Sequence, residues 1–400
     1  MLSSSPPGPP SARFDAAVVG LGLIGSAALR HLAESGLRVV GIGSPEPADL
    51  PAHHGPFSSH YDSGRITRHL DARFEWALLA HRAIAAYPLI ESRSGIAFHS
   101  PTGSVYAVVP GPKADAIEAN AARLASPAVE VGRAEIDQRL GLTGGLRYFA
   151  DAPPAGHVDP RRMRAAQLRC ADLAGAEIVD GVVGSLTAMP GGWRIAGPAG
   201  QWTAERVLVA AGPHVEELIG LPVRPDVQVR AEPVVQAVLG PDEQRRLAGL
   251  PSVVVVRGAA AHDDCYMVPP IGYPDGTVRI KLGASMPVDD RLPDAASRQT
   301  WMRGDGHRVE LDRQRSMLEA LVPGLVAERW ETRPCMITDT PTHLPYLDHV
   351  APGLVLAAGC NGYAAKSSDA IGAIAAGLVR DGGWTDGDLS AERFAVRTAS

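Results

Sequence analysis

Gly20, Gly22 and Gly25 stand in the spacing G-x-G-x-x-G within "FDAAVVGLGLIGSAALRHLAESGLRVVGIG". The chemistry such a run supports is the holding of a pyrophosphate. The first glycine permits a tight turn, the second lets phosphate approach the backbone, and the third lets a helix lie close to a strand. The helix that follows offers free N–H groups and the positive end of its dipole to the anion. The same spacing occurs in purely structural turns, so the flanks decide. Residues 16–19 read as a buried strand, a helical pattern runs to about Ser35, Gly36 stops it, and "LRVVGI" reads as the next strand. One element is missing: the acid that takes the ribose hydroxyls falls by spacing on Gly43, leaving Ser44 or Glu46 as substitutes.

A second chemical feature is the lone thiol Cys335 in "TRPCMITDTPTHLPYLD". Arg333 lies two residues earlier, and in an extended segment both side chains face the same way. A cation beside a thiol raises its thiolate fraction, which suits covalent chemistry. The plain alternative is a small buried apolar residue. Arg65, Arg68, Lys281 and Lys366 supply charge for an anionic ligand, Arg as a planar fork and Lys as a point charge. Each also has an ordinary reading, as a surface ion pair or a solvated strand residue. Lys366 opposes the dipole at a helix start, which argues against a purely structural role.

Composition limits the classes of function. Four hundred residues exceed one ordinary core, so two domains or one large split domain is expected. Apolar residues make up 45% and charged residues 20%, the balance of a soluble globular chain. The formal net charge is -6 with Lys and Arg dispersed, which gives no nucleic-acid footprint. "MLSSSPPGPPSAR" lacks the apolar run of a secretory signal and reads as a disordered tail, and no stretch reaches the length of a membrane span. Cys170, Cys265, Cys335 and Cys360 are widely spaced, pointing to neither a disulfide framework nor a zinc site. The expected compartment is the cytoplasm.

The elements that must position these residues recur along the chain. "GHVDPRRMRAAQLRCADLAGAEIVDGVVGSL" reads as a turn, a helix and a short strand. "GGWRIAGPAGQWTAERVLVAAGPHVEEL" reads as a hairpin, a buried strand ending at Gly212, then a helix. Residues 226–320 read as strand-rich, with a helix near 308–321. "GLVLAAGCNGYAAKSSDAIGAIAAGLVRDG" is again strand, Gly-rich turn and helix. Nucleotide-fold pieces thus open, interrupt and close the chain, with different material between them.

Further motifs follow in order: "SSHYDSGRITRH", "GHVDPRRM", "RVLVAAGPHVEEL", "CYMVPP…VRIKLG", "CMITDTPTHLPYLD" and "AAGCNGYAAKSSD". With the glycine fingerprint they resemble the flavin amine oxidases typified by monomeric sarcosine oxidase and N-methyltryptophan oxidase, in the wider D-amino-acid oxidase fold group. The resemblance spans roughly residues 14–395. It implies an α/β plus α+β fold: an FAD-binding Rossmann-like domain from 14–90, 155–225 and 325–400, and a strand-rich substrate domain from 91–154 and 226–324, behind a tail over 1–13. It implies FAD bonded through the Cys335 sulfur to the 8α-methyl, and Lys281 over the flavin where O2 reacts. Lys281, Arg65 and Tyr266 form the implied catalytic set, with Arg65 close to the flavin. Arg68 and Lys366 clamp a substrate carboxylate beside Tyr363. The implied FAD contacts are Gly20, Gly22, Leu23, Ile24, Gly25, Ser44, Ser59, Arg65, Val183, Ala211, Gly212, Cys335, Gly359, Gly362 and Lys366, with no metal.

The pattern departs from the family where a substrate side chain would lie. Ser285 stands for a histidine, "GYAAK" at 362–366 for G-H-G-F-K, Leu70, Asp71, Ala72 and Arg73 for A-Y-G-E, and Ile337 for an aromatic. An altered side-chain pocket is expected. The reading is an oxidase of the C–N bond of an amino or imino acid, favouring a secondary amine, N-methyl or cyclic, with O2 as acceptor. Its rivals are a flavin dehydrogenase serving a protein acceptor and a catalytically silent flavin-binding protein.

Overall fold

The computed structural model describes residues 13–399 apart from 48, 51, 259–262, 287–289 and 307. The expected tail over 1–13 lies outside the described residues except for its last position. Five strands form a parallel array in the order Glu177–Asp180, Val39–Gly43, Phe14–Val19, Gly200–Val209 and Leu354–Ala358. Val39–Gly43 and Leu354–Ala358 are buried throughout and Phe14–Val19 almost so, as strands covered on both faces must be. Chain order reverses between Phe14–Val19 and Gly200–Val209. The ends of these neighbours form the switch point where open α/β sheets bind ligands.

Helices cover one face. Leu23–Glu34 packs against Ala364–Asp381 and Pro160–Leu173, and Phe74–Ser94 packs outside them. A Cβ on Gly372 would lie 2.6 Å from the Ala27 Cβ, so a glycine is what lets the two helices cross this closely. Leu29, Leu32, Trp76, Tyr87 and Ile371 fill the layer. The opposite face is closed by Trp193, Trp202 and Val215. Through the helical layer runs a buried polar knot. The Arg30 guanidinium donates to Gln167 Oε1 and Asp369 Oδ1, both at 2.6 Å, and Gln167 Nε2 donates to the same Asp369 oxygen at 2.9 Å.

A second, eight-stranded sheet runs in the order Arg329–Arg333, Val234–Val238, Val278–Ala284, Cys265–Gly272, Ser252–Val256, Ser104–Val108, Arg147–Asp151, Val129–Val131. Only the pairing of Ser252–Val256 with Ser104–Val108 is parallel. Alternation sorts its side chains. Ile280 and Leu282 join Val235, Met267 and Leu318 in a core under the helix Val309–Leu321, so Lys281 between them takes the other face.

The expected α/β plus α+β class is the class observed. Three local expectations change. The strand before Gly212 ends at Val209, and a short 3-10 turn, Gly212–Glu217, replaces the helix. Residues Gly156–Val158, read as a turn, form a strand between Arg65–Thr67 and His99–Ser100. Among the described residues no helix is long and apolar enough to cross a membrane.

The knot around Asp369 makes a stability prediction. Burial alone would raise its carboxyl, but His31, Arg30 and Gln167 together hold it well below the usual range. A depressed carboxyl contributes stability above its unfolded pKa and loses it as pH falls through the folded value. Asp369→Ala should therefore cost about 3 kcal/mol at neutral pH by breaking the buried pair with Arg30, which keeps Glu34 as its acidic partner at 2.7 Å, with a smaller deficit in acid. Urea unfolding at pH 7 and at pH 3, inside the window below the unfolded carboxyl value of about 3.9, reads both.

Candidate active site

A cavity of about 940 Å³ opens at the switch point and continues to the second sheet. Its first part is backbone. Gly20 has φ +92°, and a Cβ there would sit 2.5 Å from the Ala210 carbonyl oxygen. A Cβ on Gly25 would sit 1.8 Å from the Gly20 oxygen, whereas Gly22 faces open space. The helix Leu23–Glu34 starts at Gly22 without a side-chain cap, leaving its first N–H groups to the cavity. Gly20, Gly22, Leu23, Ile24, Ser44, Ser59, Val183, Ala211 and Gly212 all line this part. Gly25 does not, and serves by letting helix meet strand.

The missing ribose acid has a steric cause. A Cβ on Gly43 would lie 2.6 Å from the Leu21 Cβ and 2.7 Å from its nitrogen. No acidic side chain fits while Leu21 occupies the turn. Of the two expected substitutes, Ser44 lines the cavity, whereas the Glu46 carboxylate is engaged by Arg161. Sequence reasoning missed Arg164, whose guanidinium donates to the Leu21 carbonyl oxygen and reaches the Ser44 oxygen at 3.5 Å.

Cys335 and Arg65 meet midway along the cavity. Arg65 Nη2 lies 3.4 Å from the Cys335 sulfur and 3.2 Å from the Ser59 oxygen. The expected neighbour, Arg333, is instead an exposed side chain (51%) paired with Glu331 at 3.0 Å. Arg333 does precede Cys335 along one ladder, since Arg333 pairs with Val234 and Cys335 with Glu232. A shared strand face did not bring the guanidinium to the thiol, because an acid of its own strand holds it. The Cys335 backbone is fixed by two bonds with Glu232, at 2.8 and 3.0 Å, and by the Trp301 indole on its carbonyl oxygen at 2.7 Å.

Lys281 is fully buried (0% exposed) and does not line the cavity. Its ammonium donates to Asp62 and to the Gly64 oxygen. Asp62 also pairs with Arg65, and its other oxygen accepts from Ser63 N at 2.7 Å and the Tyr273 hydroxyl at 3.0 Å. Burial would raise the Asp62 carboxyl, but Lys281 and Arg65 outweigh it and hold it well below the usual range. Burial and then Arg65 bring the Lys281 ammonium down to about 8 against the pull of Asp62. Tyr266 lines the cavity over Gly283, its ring centroid 5.8 Å from the Lys281 nitrogen. Burial raises its phenol far above the usual value.

The far end holds Arg68 and Lys366. Arg68, 9% exposed, lies near the rings of Tyr106 and Tyr363, at 5.3 and 5.8 Å, and Tyr363 stacks on Trp76 at 4.9 Å. Lys366 is the third residue of Ala364–Asp381, a helix also without a side-chain cap, entered through Gly359 and Gly362 at φ +80° and +77°. Its ammonium donates to Asp71 Oδ2 at 2.9 Å, and Arg68 Nη2 lies 3.6 Å from the same oxygen. Burial lowers the Lys366 ammonium to about 8, with Asp71 opposing. Burial raises Asp71, but Lys366 and Arg68 more than cancel it. Neither Asp62 nor Asp71 was singled out as functional in the sequence. Each lies three residues from an arginine named there, and Asp71 also stood among the departures from the family loop.

The family model described as FAD dependent oxidoreductase matches residues 15–378, and the chain belongs to that family. No curated protein matches it in a sequence comparison. Its fold is similar to NikD, "an unusual amino acid oxidase essential for nikkomycin biosynthesis", in an open form, at TM-score 0.76 and 20% identity over 98% of this chain and 99% of that one. Glycine oxidase from Geobacillus kaustophilus is similar at 0.66 and 21% over 97% and 99%. L-proline dehydrogenase from P. horikoshii is similar at 0.70 and 17% over 96% of both.

The residues present fit FAD. A glycine cradle that tolerates no Cβ at two positions suits a pyrophosphate, and two uncapped helix starts face one cavity. Installing the missing acid should fail. Gly43→Glu should destabilise the protein by about 1–3 kcal/mol through overpacking against Leu21. It should also lower, not raise, the FAD incorporated per chain in the purified protein, read by flavin absorbance, with thermal unfolding reporting the stability.

Proposed function

We propose that the protein oxidises the C–N bond of an amino or imino acid, favouring a secondary amine, N-methyl or cyclic, with O2 as acceptor. Two electrons and two protons leave the substrate, giving an imine and H2O2. The observation that carries the reading is that one cavity joins the dinucleotide cradle to a buried, net-cationic end built from Arg68, Lys366 and Asp71. FAD, when bound, supplies the two-electron acceptor.

The chain's part is placement. Arg68 and Lys366 anchor a carboxylate, and Tyr363, held flat by Trp76, limits where the rest of the molecule goes. Val254, Val256, Tyr106 and Ile337 supply apolar wall and exclude water. Such anchoring turns an encounter between substrate and cofactor into an oriented contact, which is most of what this oxidation asks of side chains. The structural neighbours named for amino acids, glycine and L-proline support this substrate class.

We further propose that FAD is covalently held through Cys335. The sulfur lies on the cavity wall with the Arg65 guanidinium 3.4 Å away. Acid-precipitated protein should give a yellow pellet, and Cys335→Ser a colourless pellet with flavin in the supernatant. Yellow pellets from both would remove the assignment.

One observation favours a second reading. Lys281 is pinned by Asp62 behind the wall instead of standing open to it. That reading is a dehydrogenase that passes electrons to a protein. The oxidase reading expects bound flavin, bleached anaerobically by substrate, to regain its colour rapidly in air. Lys281→Met should slow this on the order of 100-fold. Recovery only with an added electron acceptor would transfer the assignment to the dehydrogenase. The cytoplasm remains the proposed compartment.

A further inference from the structure

The carboxylate Asp71 is not on the cavity wall, yet it touches both cations that are. It is not shared out to solvent, being buried, and its other oxygen is occupied by Arg73 N at 3.1 Å. Two cations against one carboxylate leave a single positive charge at this end. Arg68 Nε is buried without a hydrogen-bond partner, so one guanidinium edge is left to a ligand.

A second acid guards the same wall. Asp264 lines the cavity, and it and Asp71 both bear on the Tyr106 ring against which Arg68 rests. Its Oδ1 is fixed by Arg257 N at 2.7 Å and reached by Gly258 N at 3.4 Å. Lys113, a further charged lining residue on this side, is an exposed side chain. The wall between Arg68 and Asp264 is apolar or aromatic: Tyr106, Val254, Val256.

We propose that Asp71 is the residue that sets substrate charge, restricting the site to amino or imino acids with one carboxylate and an apolar body. This rests on the reading of Arg68 and Lys366 as the carboxylate anchor. Asp71 acts through them and is a positioning residue. The first carboxylate takes the one uncompensated charge. A second carboxylate beside it would find the anchor already neutralised, and further along the apolar wall it would be desolvated and would face Asp264. A neutral amide at position 71 keeps the shape and still accepts from Lys366, but raises the net charge by one.

The test uses two ligands that differ by one carboxylate, phenylacetate and phenylmalonate, titrated into the FAD-loaded enzyme and read by the perturbation of flavin absorbance. Wild type should bind phenylacetate roughly tenfold or more tighter, and Asp71→Asn should shrink that preference roughly tenfold, the scale of a unit charge a few ångströms away. Asp264→Asn should shrink it less, since that carboxylate stands further from the anchor. Equal FAD content and circular dichroism in the variants show that the fold is kept. Should an Asp71→Asn protein fail to fold, Asp71→Glu, which keeps the charge, must keep the preference. If both acids bind and the ratio is unmoved by Asp71→Asn, the proposal is overturned and the anchor stands. If neither acid binds wild type, anchor and proposal fall together.

Discussion

Four cations beside the cavity share two buried carboxylates. Asp62 holds Arg65 and Lys281, and Asp71 holds Lys366 with Arg68 close by. Burying a charge without a partner costs several kcal/mol, so neither set of cations could stand in this wall without its acid. Each trio keeps one net positive charge. The first keeps it beside the Cys335 sulfur and the second at the closed end of the cavity. The proposed flavin attachment and the proposed carboxylate anchor are therefore places where compensation stops one charge short.

Chain geometry makes that arrangement economical. Asp62, Arg65, Arg68 and Asp71 come from ten consecutive residues around the strand Arg65–Thr67, fixed by its pairing with Gly156–Val158. Only the lysines come from elsewhere. Lys281 belongs to the second sheet and Lys366 to the last helix, so each trio ties a different part of the fold to the same short segment. Removing either acid would leave unpaired cations in a low-dielectric wall, and the loss would be felt in both layers at once.

What the sequence made legible follows the same physics. The glycine turn was readable because backbone contact at Gly20 and Gly25 excludes every other residue, and such exclusions leave a fixed spacing. The parallel strands were readable because burial on both faces demands continuous apolar runs. The cations were found through resemblance to a family. Their acids were not, since an Asp three residues from an Arg is the commonest surface pairing and carries no mark of burial. Arg333 shows the converse error. Spacing of two fixes a strand face, but a long flexible side chain goes to a nearby acid, here Glu331, which Arg329 and Arg279 also share. The exchange of a helix for a 3-10 turn at Gly212–Glu217 is likewise local: Gly212 enters it at a positive φ, and the turn closes through three-residue bonds such as His214 N to the Ala211 oxygen at 3.1 Å.

Gly43 and Cys335 bear on one question, how the cofactor is held without a ribose acid. Leu21 fills the space that an acidic side chain at 43 would need, and it is itself anchored by Arg164 on its carbonyl oxygen. The cradle end of the cavity thus lacks an interaction that many dinucleotide sites use. On the proposed reading, a bond at Cys335 compensates at the other end, because a tether makes rebinding intramolecular and renders the missing contact tolerable. The backbone of Cys335 is correspondingly fixed from two sides, by Glu232 and by the Trp301 indole. A sulfur that must meet one carbon of a ring needs that rigidity, whereas a merely buried cysteine does not. Weak grip at one end and a rigid thiol at the other are therefore parts of a single solution.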